Sequence, residues 1–473
     1  VRLVLNRLEE MLATQPSQAL RIHIRLGAKD DGTLTALEAG ITIDSGCYPS
    51  SLGGLASILI GSIYRIPNIR VRSTEVVTFK ASAGAYRAPT APQTNFALET
   101  AMDEIAQKVG LDPLTVRLKN AVETDDLLIS GRSWPTIGMK QVLERLQTHP
   151  AWQQRAEAQA AGRGVGIAIG VWPGGTEPSA ATCSLQRDGT LHLHLGSVDL
   201  SGTATGFTLI AAEAFGLSPD KVRIVSGNTN ADPYAGGAGG SKITYTVGPS
   251  VIQAAEEARI QTLAVAAEEL EAAPEDLEIV DGQVRVKGVP SRAVPLGAIA
   301  GKTMQFGGKY APILGHGRHV EPRQGPAFCA QLAEVEVDRD TGEVMVHKLI
   351  VVQDVGRVIN PLTLQGQMMG GAAQGIGWAL YEQMIHDEQG QLLTASWMDY
   401  TFPHIDQVPL KFETITVEVP SDHGPFGARG AGEPPIIATA AAVANAIADA
   451  TGVRLTDLPM TAPRVLAAIS SDR

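Results

Sequence analysis

The sequence predicts an α+β fold of hairpin-rich mixed sheets packed with helices, on three observations. Three stretches, 20–46, 181–202 and 332–356, each carry two alternating apolar runs around an Asp-Gly or Thr-Gly turn, and such turn residues tolerate positive φ and close β-hairpins. Helical periodicities lie between them without the regular strand–helix alternation of a doubly wound sheet. Glycine and proline, 50 and 28 of the 473 residues, supply many turns and close backbone approaches.

Taken in order, VRLVLNRLEE at the start reads as a strand and, lacking an initiating Met, as an internal start. The first hairpin (20–46) precedes a helix over 94–109, where Leu98, Met102, Ile105 and Val109 recur on one face and Gly110 supplies the stop. Asp112 is placed to cap a short helix with Pro113 at its first position. The polar, Gln- and Ala-rich stretch 146–164 is the best domain boundary. Beyond it come the second hairpin (181–202), a helix over 205–215 ended by Gly216, the strand VRIVSGNT, a helix over 249–272 and a small hairpin at 277–288. The third hairpin (332–356) precedes helices over 366–382, over 436–450 before Gly452, and over 462–469. Hairpins recurring at irregular spacing point to duplicated sheet units rather than a solenoid.

A net charge of −12, from 38 basic and 50 acidic residues, argues against a partner with a phosphate backbone, which would need a basic face. With 44% hydrophobic and 19% charged residues the chain is a folded globular protein, long enough for two or three domains. Cys47, Cys183 and Cys329 lie far apart and form no CxxC pair, so neither a zinc nor an iron–sulfur site is expected in this chain. No apolar run approaches the roughly 18–20 residues that span a bilayer, and a soluble protein is expected.

Four segments are candidates for chemistry. The Gly-rich loop Asp232–Lys242 lies between a strand and a helix; its backbone N–H groups are suited to an anion, although a flexible turn reads equally. In GPFGARGAGEPPI (424–436), four glycines allow close backbone approach and Pro434 and Pro435 hold Glu433 in an aimed position. A crowded Glu there would have a raised pKa and serve as a general base; the nearby helix start pulls the other way, and a solvated loop carboxylate is the plainer alternative. Gln367 and Gln374, seven apart, share one helical face with small residues between them, which suits either a ligand contact or a tight helix seam. Arg87, among Gly and Pro in GAYRAPTAPQ, is a candidate anion contact or a plain surface Arg. His192 with His194, and His316 with His319, offer no third metal ligand.

The order and wording of these segments carry more than each alone. GAYRAPTAPQTNFALETAMDEIAQKVGLDPLTVRLKN, DVGRVINPLTLQGQMMGGAAQGIGWAL and GAGEPPIIATAAAVANAIADATGVRLTDLPMTAPRVLAAI, in that succession, resemble the molybdenum-binding subunit of the xanthine dehydrogenase/aldehyde oxidase family over essentially the whole chain. The resemblance implies two related molybdenum-cofactor-binding domains, 1–145 and 146–473, the first lacking its N-terminal part. It implies a molybdenum hydroxylase acting on an aldehyde or N-heteroaromatic substrate, the metal held by a pterin dithiolene rather than by protein ligands, commonly as the cytosine dinucleotide form. Glu433 matches the family's catalytic base. Arg87 and Ala88, Gly202 and Thr203, Gly240 and Ser241, Gln367 and Gly432 match its cofactor contacts.

Iron–sulfur (2Fe–2S) and FAD or cytochrome partner subunits are implied, as is a cytoplasmic location. Asp199–Thr205 lacks the family's Gln. Pro89 replaces an aromatic, and no Arg stands near Leu55, both against xanthine; Ala88-Pro89-Thr90 is not the carbon monoxide-oxidising loop. Family members also carry an upstream Phe-Gly-Gly loop and a Gln-bearing segment, which either another chain supplies or this sequence does not include. A non-catalytic binding or assembly module is the alternative reading.

Overall fold

The computed structural model describes residues 3–471. Three times along them a β-hairpin is followed by a crossover helix, a strand parallel to the hairpin's second strand, a loop and a closing helix. In the first unit these are Ala19–Ala28 and Leu34–Asp44, Gly53–Ser62, Asn68–Val76, and Ala91–Val109. The second comprises Ser179–Leu185 and Leu191–His194, Thr203–Phe215, Val222–Val225, and Ile243–Leu270. The third comprises Ala327–Val337 and Val344–Asp354, Pro361–Leu380, Lys411–Val417, and then Pro434–Ile437 running into Thr439–Thr451. The second and third units each have a fourth strand, Leu314–His319 and Gly164–Trp172, antiparallel to the first strand of the hairpin. A small antiparallel meander contains the 277–288 hairpin.

Each fourth strand carries a Gly-x-Gly pair that lets the closing helix lie directly on the sheet. A Cβ on Gly315 or Gly317 would stand 1.9 or 1.8 Å from the carbonyls of Ala254 and Ser250. On Gly164 or Gly166 it would stand 1.9 or 2.1 Å from the Ala446 backbone. The second unit has its own apolar core, whereas the first and third share one that joins Ile41, Leu98 and Trp152 to Ile169, Ile350 and Ile437.

All four predicted hairpins are present, and so is the Asp112 cap, which accepts from the Leu114 and Thr115 amides. The opening strand is not. Val1 and Arg2 lie outside the described residues, and Arg7–Ala13 is a helix, nucleated by a capping box between Asn6 and Glu9 that outweighs the apolar alternation. The helix expected over 249–272 begins earlier, at Ile243, and ends at Leu270, with Pro249 inside it; at Gly248 the missing Cβ makes room for Pro425. The helix expected from 366 begins at Pro361 behind the Asn360 cap.

The first and third units are bolted together at Glu99 on the Ala91–Val109 helix. Its carboxylate accepts from Arg117 Nε (2.8 Å), the Tyr64 hydroxyl (2.5 Å) and the Ile169 amide (2.9 Å). The side chains of Glu99 and Arg117 are wholly buried. Glu99→Ala strands a buried guanidinium, and a loss of about 3–5 kcal/mol is expected in chemical denaturation; a loss below about 1 kcal/mol would contradict this role.

Candidate active site

The loop before each closing helix is where the candidate residues lie, and the three loops meet. Arg87 and Ala88 come from the first unit, Gly240 and Ser241 from the second, Gly432 and Glu433 from the third. The crossover helices add Gly202 and Thr203 at the start of one and Gln367 in the second turn of the other. All of these except Ala88 line one cleft of about 430 Å³, together with Pro89. Ala88 sits immediately behind it, fully buried.

Arg87 is the clasp. Its Nε donates to the Gly432 carbonyl (2.6 Å), one terminal nitrogen to the Gln367 carbonyl (3.0 Å) and side-chain oxygen (3.2 Å), and the other to Gln374 Oε1 (3.3 Å). The guanidinium reaches the helix because residue 371 has no side chain: a Cβ there would lie 3.0 Å from Arg87 Cζ. Gln374 passes the contact on to the Tyr86 hydroxyl (2.7 Å), and Tyr86 stacks on Trp378. The small residues of this helix therefore serve both readings of the sequence, since Gly375 abuts Thr439 in a helix seam.

Glu433 stands at the start of Pro434–Ile437, partly buried. Its Oε1 accepts from the Ala88 amide (3.1 Å) and its Oε2 from the Ser241 hydroxyl (2.7 Å), which in turn accepts from the Glu433 amide (3.0 Å). Burial raises the Glu433 pKa, against the opposing pull of Ser241, the Ala88 amide and the Arg87 charge. Desolvation thus outweighs these three, while the helix that follows begins Pro434-Pro435 and offers no N–H in its first two positions.

Four non-glycine residues around the cleft have left-handed backbone: Ala88 (φ 57°), Thr90 (64°), Ser201 (60°) and Ser241 (58°). Such conformations cost of order 1–3 kcal/mol each and cluster at functional sites. The Ser241 loop is held by the Gly240 carbonyl, which accepts from Trp172 Nε1 (3.0 Å) and the Gly175 amide (2.7 Å). Gly430 lies so close that a Cβ would be 2.0 Å from the Ser241 carbonyl.

The first residues of three helices, Thr203–Phe215, Ile243–Leu270 and Pro361–Leu380, also face the cleft. Asp199 caps Ala204 and Asn360 caps Leu362 and Thr363, whereas Ile243–Leu270 has no side-chain cap and its first N–H groups favour an anion. Of the cleft's cations, Lys242 pairs with Glu177 (2.7 Å), Arg357 with Glu213 (3.0 Å) and Arg429 with Asp354 (3.2 Å). Sequence reasoning did not assign Tyr86, Trp172, Asn360 or Arg429. Gln374 was visible through its seven-residue spacing from Gln367. Among the described residues no group of three or more His, Cys, Asp or Glu side chains could hold a metal, and Leu55 lies outside the cleft.

Two matches to the family described as the molybdopterin cofactor-binding domain cover residues 1–121 and 141–409. The chain is 31% identical to the xanthine dehydrogenase molybdenum-binding subunit of Escherichia coli O157:H7, over 98% of its own length and 64% of that protein's. It is 32% identical to an aldehyde oxidoreductase of Megalodesulfovibrio gigas, over its whole length and 51% of the relative's. Quinoline 2-oxidoreductase from Pseudomonas putida 86 superposes with a TM-score of 0.90 at 29% identity, over 99% of this chain and 64% of that one. The chain thus spans between half and two thirds of the relatives it matches.

A carboxyl with a raised folded-state pKa binds its proton more tightly folded than unfolded, so it loses stability as pH rises through the folded value. Glu433→Gln should therefore melt at a higher temperature than the parent chain at pH 8, with the difference shrinking towards pH 4. A lower melting temperature at pH 8 would show that the hydrogen bonds, not burial, dominate.

Proposed function

Since the chain belongs to the molybdopterin cofactor-binding family, as a large molybdenum-binding subunit of the xanthine dehydrogenase/aldehyde oxidase type, we propose that it forms the greater part of the active centre of a molybdenum hydroxylase. The observation that carries this reading is the meeting of Arg87, Ser241, Gln367 and Glu433, from loops and helices of all three units, in one cleft.

The cleft fits such a cofactor by its donor set. Backbone N–H groups at the uncapped start of Ile243–Leu270 and the Gln367 amide suit an anionic organic group rather than a bare cation. Gly202, Thr203, Gly240 and Ser241 would hold its phosphate side, and Gln367 and Gly432 its pterin side; Ala88, buried behind the cleft with its amide on Glu433, acts through that carboxylate rather than on the cofactor. The cytosine dinucleotide form, the one the resemblance implies, would place its second phosphate among the same donors. When bound, the cofactor supplies the oxygen transferred to substrate and accepts two electrons.

The chain's own part is proton chemistry and positioning. Glu433 takes a proton as oxygen, ultimately from water, is delivered to an electrophilic carbon. With Oε1 and Oε2 each engaged by one donor, the carboxylate keeps a lone pair for that proton, and burial raises its basicity toward neutral pH. Arg87 holds Gly432 and Gln367 in register with it. Pro89 in the cleft wall, with no aromatic clamp at that position, favours an aldehyde or an N-heteroaromatic ring over xanthine. The electrons then pass to iron–sulfur and flavin or cytochrome partner subunits, in a cytoplasmic complex. Among the described residues no helix is long and apolar enough to cross a membrane.

The test is molybdenum and released CMP measured on the complex from its native host, with about one molybdenum per chain expected. Glu433→Gln can keep both side-chain partners, since the Ser241 oxygen can accept from the new amide. It should retain the metal and lower turnover by about 10²–10⁴. Turnover within about threefold of the parent would remove Glu433 as the base.

A further inference from the structure

The three sheets are built alike except at one edge. In the second and third units the first hairpin strand is covered by the Gly-x-Gly fourth strand, which lies beneath the closing helix. The inward residues there are sealed: Cys183 and Leu185 in one, Cys329 and Ala333 in the other, are 0% exposed. In the first unit Ala19–Ala28 is an edge strand with no fourth neighbour among the described residues. Its inward residues Leu20, Ile22, Ile24 and Leu26 are only half-buried. Between that strand and its closing helix Ala91–Val109 lies an open cavity of about 1430 Å³, walled by Ile22, Ile24, Phe96 and Ala101.

A second observation lies at one end of this cavity. Gln18 Oε1 and Gln93 Oε1 are buried acceptors with no hydrogen-bond partner, and Gln18 is 3% exposed. Both residues line the cavity beside Ala19, where an antiparallel strand would end. In the other two units the fourth strand ends at the corresponding place. After Gly164–Trp172 the chain delivers the Trp172 and Gly175 donors to the Gly240 carbonyl at the cleft.

We propose that the Ala19–Ala28 edge and the cavity beside it dock a β-strand with glycines at alternate positions. It runs antiparallel to Ala19–Ala28 beneath the Ala91–Val109 helix, and it is supplied by the part of the relatives' polypeptide that this chain does not span. Edge strands present unpaired N–H and C=O groups that template such addition. The glycines are needed because the helix sits too close for side chains, as it does over Gly164 and Gly166, and Gly315 and Gly317. The strand's last amides would satisfy Gln18 and Gln93. Its onward connection reaches Tyr86, which walls both this cavity and the active cleft, so docking completes the cleft from the Tyr86 side.

The test compares amide hydrogen exchange of residues 19–28 in the isolated chain and in the complex from the native host. Exchange slower by on the order of 10²-fold in the complex is expected. Carbodiimide cross-linking from Glu104 and Lys108, which line the cavity, then identifies the occupant. The linked peptide should lie outside these 473 residues, align with the unspanned part of the relatives and carry alternate glycines. Ala101→Trp, which fills open space and should leave the chain's melting temperature unchanged, should abolish the exchange protection. Equal exchange in both states, or links only to a second copy of this chain or to an iron–sulfur subunit, would overturn the proposal. Neither readout uses turnover, so it can fail while the Glu433 reading stands, and the reverse.

Discussion

The buried pair of Glu99 and Arg117 is the constraint on which the rest of the arrangement hangs. It fixes the Ala91–Val109 helix against both its neighbour helix and the Ile169 backbone of the third unit's sheet. Such a pair adds little net stability over an apolar core, but with one partner removed it is costly, which makes the crossing of the two units unforgiving in position. Two turns above it, at the start of the same helix, Ala88 and Thr90 hold left-handed backbone. That strain persists because the helix beneath cannot shift to relieve it, and it aims the Ala88 amide at Glu433.

The active cleft follows from repetition. Three equivalent connections, each leaving a parallel strand and entering a closing helix, are the three loops that contribute Arg87, Ser241 and Glu433. A loop in that position projects from the end of a sheet and finishes at a helix start, which fixes its last residues. Bringing three of them together makes a polar pocket with rigid walls. Glycines are used where the walls interpenetrate, as at Gly371 under Arg87 and Gly430 against the Ser241 carbonyl. This explains the high glycine content better than flexibility does.

Hairpins and helix ends were legible in the sequence because their signals are local: Asp-Gly turns, the Asp112 cap, Gly110, Gly216 and Gly452. The failures were local signals overruled. Pro249 removes a helical donor, yet the helix runs through it from Ile243, packed on Gly315 and Gly317. The apolar alternation at the start gives way to the Asn6 capping box. The site was legible only through the order of its motifs, since Ala88 and Glu433 stand 345 residues apart. No periodicity or spacing announces that Arg87 meets Gln367, Gln374 and Gly432 together. Trp172 and Tyr86 were invisible because their roles depend on which unit lies against which.

Ser241 shows how strain and electrostatics are joined at the base. At φ 58° a glycine would be the cheaper residue, and the neighbouring Gly240 shows that the loop admits one. The serine hydroxyl is placed so that the Glu433 amide occupies one of its lone pairs, which turns its hydrogen toward the carboxylate. A donor fixed in that sense favours the ionised carboxylate, whereas burial favours the neutral acid. Arg87 lies close enough to add to the ionised side, but its charge is spread over the Gly432, Gln367 and Gln374 oxygens. The remaining cations of the cleft are spent on their own carboxylates. What is left at Glu433 is a carboxyl whose proton affinity burial has raised and a strained serine keeps from rising further, the compromise a base needs if it is to accept a proton in one step and release it in the next.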